Sequence, residues 1–167
     1  MMRGLLLSLS LSAVILVVFG CASAASGGSG GATSYRKDLG TVTPHDFSYH
    51  TRRIIIERYQ YEFEQEDSSA SYQSFKTRWR QRILHEDEIA MGVVAIRTQL
   101  TVRARSRGGA SAGIAALQSA ELIAENMARM SDSPEWILTV MTPLFKEYID
   151  EIAQELKTEF STGIRVY

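Results

Sequence analysis

The middle of the chain alternates apolar residues with polar or charged ones, and this alternation constrains the fold more than any other feature. It starts at 61–66, stops at a run of turn-forming residues at 67–70, and resumes at 75–83. A period of two places successive side chains on opposite faces of a strand. The two segments therefore predict an antiparallel hairpin in which each strand has one apolar face.

The charges of the two segments favour one register for this hairpin. Pairing Glu64 with Lys76 aligns the apolar faces of the strands, and the same register brings Glu62 opposite a basic residue. Cross-strand pairs of opposite charge contribute only about 0.2–1 kcal/mol each, so we expect the apolar faces to set the fold. The outward face of the second strand then carries Lys76, Arg78, Arg80 and Arg82, and its apolar face carries Phe75, Thr77, Trp79, Gln81 and Ile83.

A third strand is predicted at about 92–106, where the alternation continues. After a glycine-containing loop at 108–113, the segment 114–130 is rich in residues that favour a helix. A fourth strand would instead continue the meander, and we expect the strand because the apolar residues form no single helical stripe. In the third strand the inward side chains are Val94, Ile96, Thr98, Leu100 and Val102, and the outward arginines are Arg97, Arg103 and Arg105.

Helices are predicted before and after these strands. Thr43 can cap a helix, Pro44 suits its first position and Asp46 completes a capping-box-like start, which predicts a helix over about 44–58. The consecutive isoleucines at 54–56 favour a strand as the alternative.

The C-terminal helix has the clearest pattern in the chain. Thr142 and Pro143 start it, and Gly163 lies where a helix cap is expected. Its apolar residues recur at helical spacing, which predicts a buried stripe. The stripe consists of Phe145, Tyr148, Ile149, Ile152, Leu156 and Phe160.

These elements predict an α+β fold in a single domain over 44–167. We expect an antiparallel meander of three or four strands, with the N-terminal helix and the long C-terminal helix packed on one face. Trp79 and Trp136 are expected to anchor the core, because large aromatic side chains bury much apolar area.

The N-terminus has the parts of a secretory signal peptide over 1–20. Arg3 precedes an apolar segment at 5–19, which is shorter than the roughly 20 residues that a membrane-spanning helix needs. The segment ends in LVVFGC at Cys21, which is the only cysteine of the chain. A single cysteine cannot form a disulfide within its own chain, and no partner set for a nucleophilic thiol is present.

The LVVFGC ending resembles the lipobox of bacterial lipoproteins. In that family the peptide is cut before the cysteine, which is then acylated, so the resemblance implies a lipid anchor at Cys21. Several acyl chains would make the attachment stable. The alternative is a secreted protein that is cut at the Ala-Ser-Ala of 22–24.

Residues 21–43 are expected to form the acylated cysteine and a tether rich in glycine, serine and alanine. From Ala22 to Ser34 no apolar residue is larger than alanine, so this part cannot bury enough surface to offset its ordering entropy. Ala22 stands where lipoproteins of the inner membrane usually carry aspartate. The family resemblance therefore implies the outer membrane, with the domain facing the periplasm.

The run from His50 to Arg82 resembles the helix-grip unit of small outer-membrane lipoproteins, such as those of the β-barrel assembly machinery. In this run a helix leads into YEFEQED and then into SFKTRWRQR. The resemblance implies a binding or assembly role and carries over no catalytic residues. Alternatively, the predicted architecture resembles that of the lipoprotein that helps to insert lipopolysaccharide, in which helices also pack on a sheet.

The sequence contains no recognisable catalytic or metal-binding set. Its three histidines, His45, His50 and His85, are too few and too poorly spaced for a zinc site. The acidic run 86–88 lacks calcium-loop spacing, and the glycines at 27–31 lack the lysine of a phosphate-binding loop. We therefore expect no enzyme activity and no cofactor. The formal net charge of −1 predicts no nucleic-acid partner.

Arginines form the most specific candidate site. Guanidinium groups on adjoining strands could bind phosphate or carboxylate groups through paired hydrogen bonds. The sequence thus favours a membrane-anchored, non-catalytic accessory of the cell envelope that binds a protein partner. The alternatives are a module that binds anionic lipid, lipopolysaccharide or glycan, and a sheet face that only keeps the protein soluble. The predicted face consists of Arg78, Arg80, Arg82, Arg97, Arg103 and Arg105.

Overall fold

The alternating segments form one antiparallel sheet in the computed structural model, which describes residues 33–69, 71–106 and 117–162. The strands are β1 (Ser34–Val42), β2 (Phe63–Ser68), β3 (Tyr72–Thr77), β4 (Arg80–Arg82), β5 (Val93–Ser106), β6 (Gln118–Met130) and β7 (Ile137–Leu138). The helices are α1 (Pro44–Arg52), which continues as a π-helical segment over Arg53–Arg58, α2 (Glu86–Ala90) and α3 (Pro143–Thr162). This architecture confirms the predicted α+β class.

The sheet has the strand order β1-β6-β5-β3-β2, and all neighbouring strands are antiparallel. β2, β3, β5 and β6 form the predicted four-stranded meander. β4 pairs with β5 beyond the end of β3, and β7 pairs with β6 beyond the end of β1. The described sheet therefore has five strand positions, and two of these are each filled by two strands in line.

The hydrophobic core lies between one face of the sheet and the helices α1 and α3. Phe47 of α1 lies 5.6 Å from Phe75 of β3 and 5.7 Å from Phe160 of α3, measured between ring centres. Leu100 and Leu122 supply the centre of the sheet side and are fully buried. Each such side chain contributes about 1.5–3 kcal/mol on burial. We call the sheet face that points away from α1 and α3 the outer face.

The two long helices begin where the sequence predicts. Thr43 Oγ1 accepts a hydrogen bond from the Asp46 backbone N–H at 3.2 Å, and Pro44 is the first residue of α1. The isoleucines at 54–56 continue the helix as a π-helical segment, so the alternative of a strand is wrong. In α3 the predicted stripe is buried, apart from the half-buried Tyr148.

The segment that could have been a helix or a strand is the strand β6. Its even-numbered residues from Gln118 to Ala128 are all buried, as expected for a strand with one face on the core. The predicted glycine loop at 108–113 and the cap at Gly163 lie outside the described residues, as do the signal segment 1–20 and Cys21.

The boundary predicted at residues 43 and 44 is wrong, because β1 belongs to the sheet. Leu39 and Val42 of this strand are buried against the helices. They lie three residues apart because β1 has a bulge between Asp38 and Gly40, where Gly40 adopts a φ of +84°. The bulge breaks the period of two, and the sequence of this strand therefore looks like a continuation of the tether.

The β2–β3 hairpin forms, but with a bulge that changes part of its register. Lys76 pairs with Gln65 rather than with Glu64, since the register shifts between Phe63 and Gln65. Glu62 does meet Arg78: the Arg78 backbone N–H donates to the Glu62 carbonyl at 2.8 Å. The predicted hairpin is thus confirmed, and one of its two charge pairings is wrong.

Candidate functional site

The six arginines of the predicted basic face do not share one face of the sheet. The Leu100 N–H donates to Thr77 Oγ1 at 2.9 Å, whereas Arg80 pairs with Thr98 two residues away. The step of three residues from Thr77 to Arg80 thus faces a step of two residues on β5, from Leu100 to Thr98, and the extra residue reverses the alternation. Arg80 and Arg82 consequently lie on the helix-covered face. The outer face holds Arg97, Arg103 and Arg105.

Arg82 forms a buried ion pair with Glu88 of α2. The two guanidinium Nη atoms donate to the Glu88 carboxylate at 2.9 Å and 2.5 Å, and the His85 backbone N–H donates to the same carboxylate at 2.9 Å. The guanidinium also lies 4.4 Å from the centre of the Phe145 ring. Arg82 therefore joins β4, α2 and α3, and its charge is not available to an external anion.

Arg97 lies between two tryptophans on the outer face. Its guanidinium is 5.3 Å from the ring of Trp79 and 4.6 Å from that of Trp136, and Arg129 lies 5.7 Å from the same Trp136 ring. Cation–π contacts at this range contribute about 0.5–2 kcal/mol each. The prediction that both tryptophans anchor the core is wrong, because they cover the outer face instead.

The remaining arginines also have partners within the protein. Arg103 donates to Glu121 at 2.5 Å, and Arg105 lies over the ring of Tyr72 at 5.4 Å. Arg78 is 3.9 Å from Glu62, which is a weak and exposed contact. The structure therefore does not assemble a single arginine surface that could bind an anion.

A different surface stands out at the end of the sheet where β4, β7 and the start of β5 lie. Large apolar side chains are exposed there, and Ile83 is 90% exposed. Val94 was predicted to point inward, but it is half exposed because the register shifts between Val93 and Ala95. Of the ten large apolar residues exposed in the described ranges, seven lie in or next to these strands, in or next to α2, or at the start of α3. We call them the apolar end: Ile83, Ile89, Met91, Val94, Ile137, Leu138 and Leu144.

Two hydrogen bonds link the elements of the apolar end. The Leu144 N–H donates to Asp87 Oδ2 at 3.1 Å, which joins the start of α3 to α2. The Ser131 N–H donates to the carbonyl of Gly92 at 3.3 Å, which joins the end of β6 to the turn before β5. The exposed apolar residues therefore sit on linked elements. Sequence reasoning missed this surface because its members come from five separate segments.

A groove borders the apolar end on the helix-covered face of β4. It has a volume of about 450 Å³ and is lined by Tyr61, Arg80, Gln81, Arg82, Ile83, His85 and Tyr148. Burial is the main cause that raises the pKa of the Tyr61 hydroxyl above its usual range, and the nearby Tyr148 raises this pKa further. The Tyr61 hydroxyl therefore stays protonated. Arg80 lies 5.1 Å from the centre of the Tyr61 ring, and it donates to the carbonyl of Tyr59.

The three histidines are divided between two elements. His45 and His50 lie on α1, and His85 lies at the start of α2 beside the groove. Within the described ranges, no three residues among histidines, cysteines and carboxylates are placed to hold a metal ion. In the same part of the chain, no helix has the length and apolar character needed to cross a membrane.

Comparison of the chain with protein-family models, curated proteins and solved structures gave no match.

Proposed function

We propose that the protein is a lipid-anchored accessory of the bacterial cell envelope that binds another protein through its apolar end. The observation that carries the proposal is the concentration of exposed apolar side chains at one end of the sheet. Exposed large apolar side chains that are concentrated in one region of a protein often mark interaction sites. The rest of the described surface offers no comparable group of apolar side chains.

A protein partner fits this surface better than an anionic lipid does. The apolar end is flanked by acidic side chains, such as Glu86 and Asp87 of α2 and Asp132 and Glu135 in the loop after β6. Such charges oppose binding to an anionic bilayer. The arginines that would favour anionic lipids are distributed over both faces of the sheet, and Arg82 and Arg103 form ion pairs within the protein.

The path of the chain agrees with an anchor at Cys21. The first residue of β1, Ser34, pairs with Glu125 of β6. Two residues further along β6, Met127 pairs with Leu138 of β7, which lies on the same side of β6 as β1. The chain therefore enters the sheet next to β7. An acylated Cys21 would hold the apolar end near the membrane, where a membrane protein could meet it.

In-cell photo-crosslinking tests this proposal. A photoreactive residue is placed at Ile89 or Leu138 in the apolar end, and at Lys157, which is exposed near the other end of α3. We expect a discrete protein adduct from 89 and 138 and none from 157. Lipid adducts alone, or no adduct from the apolar end, would contradict the proposal.

The anchor is tested in the same cells. Cys21→Ser should abolish incorporation of a labelled fatty acid and release the protein from the membrane fraction. A Cys21→Ser protein that still carries the label would show that Cys21 is not the attachment point.

A further inference from the structure

One side of β4 has no partner strand in the described part of the chain. β4 pairs with β5, and β2 pairs only with β3, starting at Phe63. The residues before Phe63 do not extend β2 alongside β4. They connect β2 to the π-helical segment, and Gln60 turns the chain there with a φ of +56°. The backbone N–H and C=O groups on the open side of β4 therefore need water or another chain as partners.

A groove lies on each face of the sheet along this open side. The groove on the helix-covered face is the one described above, and the groove on the outer face has a volume of about 350 Å³. Arg80 and Gln81 line both grooves. An added strand would lie about 4.8 Å from β4 and would send alternate side chains into the two grooves. The outer groove is lined by Gln60, Glu62, Arg78, Trp79, Arg80 and Gln81.

Two other edge strands of the sheet, β1 and β2, are protected by charge. β2 carries three acidic residues in six, and β1 carries Arg36, Lys37 and Asp38 in succession. Charged side chains on an edge strand discourage pairing with another chain. β4 is basic, since Arg80 and Arg82 flank Gln81, but Glu88 neutralises Arg82, and the strand runs directly into the exposed Ile83. The open side of β4 is therefore suited to a strand that carries acidic rather than basic side chains.

The two grooves differ in what they would bind. No carboxylate lines the helix-side groove, and among the described residues no carboxylate forms an ion pair with Arg80 or His85. This groove therefore fits an acidic side chain, which Arg80 could bind. The outer groove presents the half-buried indole of Trp79, on which an apolar side chain could pack.

We infer that the partner protein adds a β-strand to the open side of β4, and that this strand alternates acidic and apolar residues. Main-chain hydrogen bonds would supply affinity, and the two grooves would select the alternating side chains. Ile83 connects this strand site to the apolar end. The inference rests on the proposed function and specifies how the partner binds.

A synthetic peptide of sequence TEVEVET tests the inference with the full-length protein. We expect fluorescence anisotropy to show that it binds at least tenfold more tightly than TKVKVKT. Methylating alternate backbone nitrogens of TEVEVET should abolish binding, because these nitrogens can no longer donate hydrogen bonds. Bound peptide should slow amide hydrogen exchange at residues 80–83.

Charge-reversal variants show where the peptide binds. Arg80→Glu should weaken binding of TEVEVET at least tenfold and strengthen that of TKVKVKT, whereas Arg36→Glu on β1 should change neither. Both arginines are exposed, and the urea unfolding midpoint of each variant shows whether the fold is retained. Equal binding of both peptides, or slowed exchange away from β4, would overturn the inference. Association between copies that protects residues 80–83 without peptide would also overturn it.

The crosslinking experiment separates this inference from the proposed function. A photoreactive residue at Gln81 should capture the same protein as residues 89 and 138. A partner captured from 89 and 138 but not from 81 would refute strand addition and leave the proposed function standing. If none of the three positions captures a protein, both the strand addition and the proposed function are refuted.

Discussion

At the scale of single residues, Arg82 shows why an arginine in an alternating segment need not face solvent. Its side chain is 12% exposed, and that of Glu88 is 2% exposed. Removing one member of a buried ion pair leaves an uncompensated charge and typically costs about 3–5 kcal/mol. We expect Arg82→Met to lower the free energy of unfolding by about this amount, as measured by urea denaturation.

Arg78→Met is the matched control for this prediction. Arg78 belongs to the same segment, but its contact with Glu62 is 3.9 Å long and both side chains are mostly exposed. Exposed ion pairs contribute at most about 1 kcal/mol. Equal destabilisation by the two variants would show that the Arg82–Glu88 pair is not buried as described.

At the scale of elements, the bulge in β1 makes the first strand fit the core. Gly40 has a φ of +84°, and a Cβ atom there would meet no atom within 4 Å. The cost of Gly40→Ala is therefore a backbone cost, of about 1–2 kcal/mol for a left-handed residue. We expect urea denaturation to show a loss of this size.

Gly40→Asn distinguishes the backbone effect from a packing effect. Asparagine tolerates the left-handed region better than alanine, although it is larger. We therefore expect Gly40→Asn to be less destabilising than Gly40→Ala. The opposite order would indicate that space, rather than φ, limits this position.

Bulges also decide how much of the fold the sequence could predict. The predicted helix starts at Thr43 and Thr142 and the choice of a strand for 114–130 are correct, because capping and periodicity are local properties. The prediction of a single arginine face was wrong because one extra residue near Arg78 exchanges the two faces of the sheet for the second half of the segment 75–83. Such an insertion depends on pairing with β5, and the local sequence does not reveal it.

The apolar end could not be predicted for a related reason. Each of its residues looks ordinary alone, since single exposed apolar side chains are normal. Only the pairing of β4 and β6 with distant segments brings Ile83 and Leu138 to one end of the molecule. Sequence reasoning can therefore identify the elements, whereas a surface built from five segments requires the tertiary structure.

At the scale of the whole molecule, the first and last elements of the described chain depend on each other. β1 pairs with β6 and packs against α3, and both Lys37 and Tyr35 contact Asp150 of that helix, at 3.0 Å and 3.3 Å. Leu39 and Val42 each contribute about 1.5–3 kcal/mol by burial. Their joint loss is comparable to a large part of the roughly 5–15 kcal/mol that stabilises a typical domain.

A chain that starts at Pro44 should therefore not fold cooperatively, whereas one that starts at Thr33 should. Without β1, the buried residues Leu122 and Ala124 of β6 lose their neighbouring strand, and the sheet gains an unprotected apolar edge. We expect thermal unfolding, followed by circular dichroism, to show a sharp transition for the chain that starts at Thr33 and a broad one, with aggregation, for the shorter chain. If both chains unfold with similar midpoints, β1 would be dispensable and the domain would begin at the helix α1 after all.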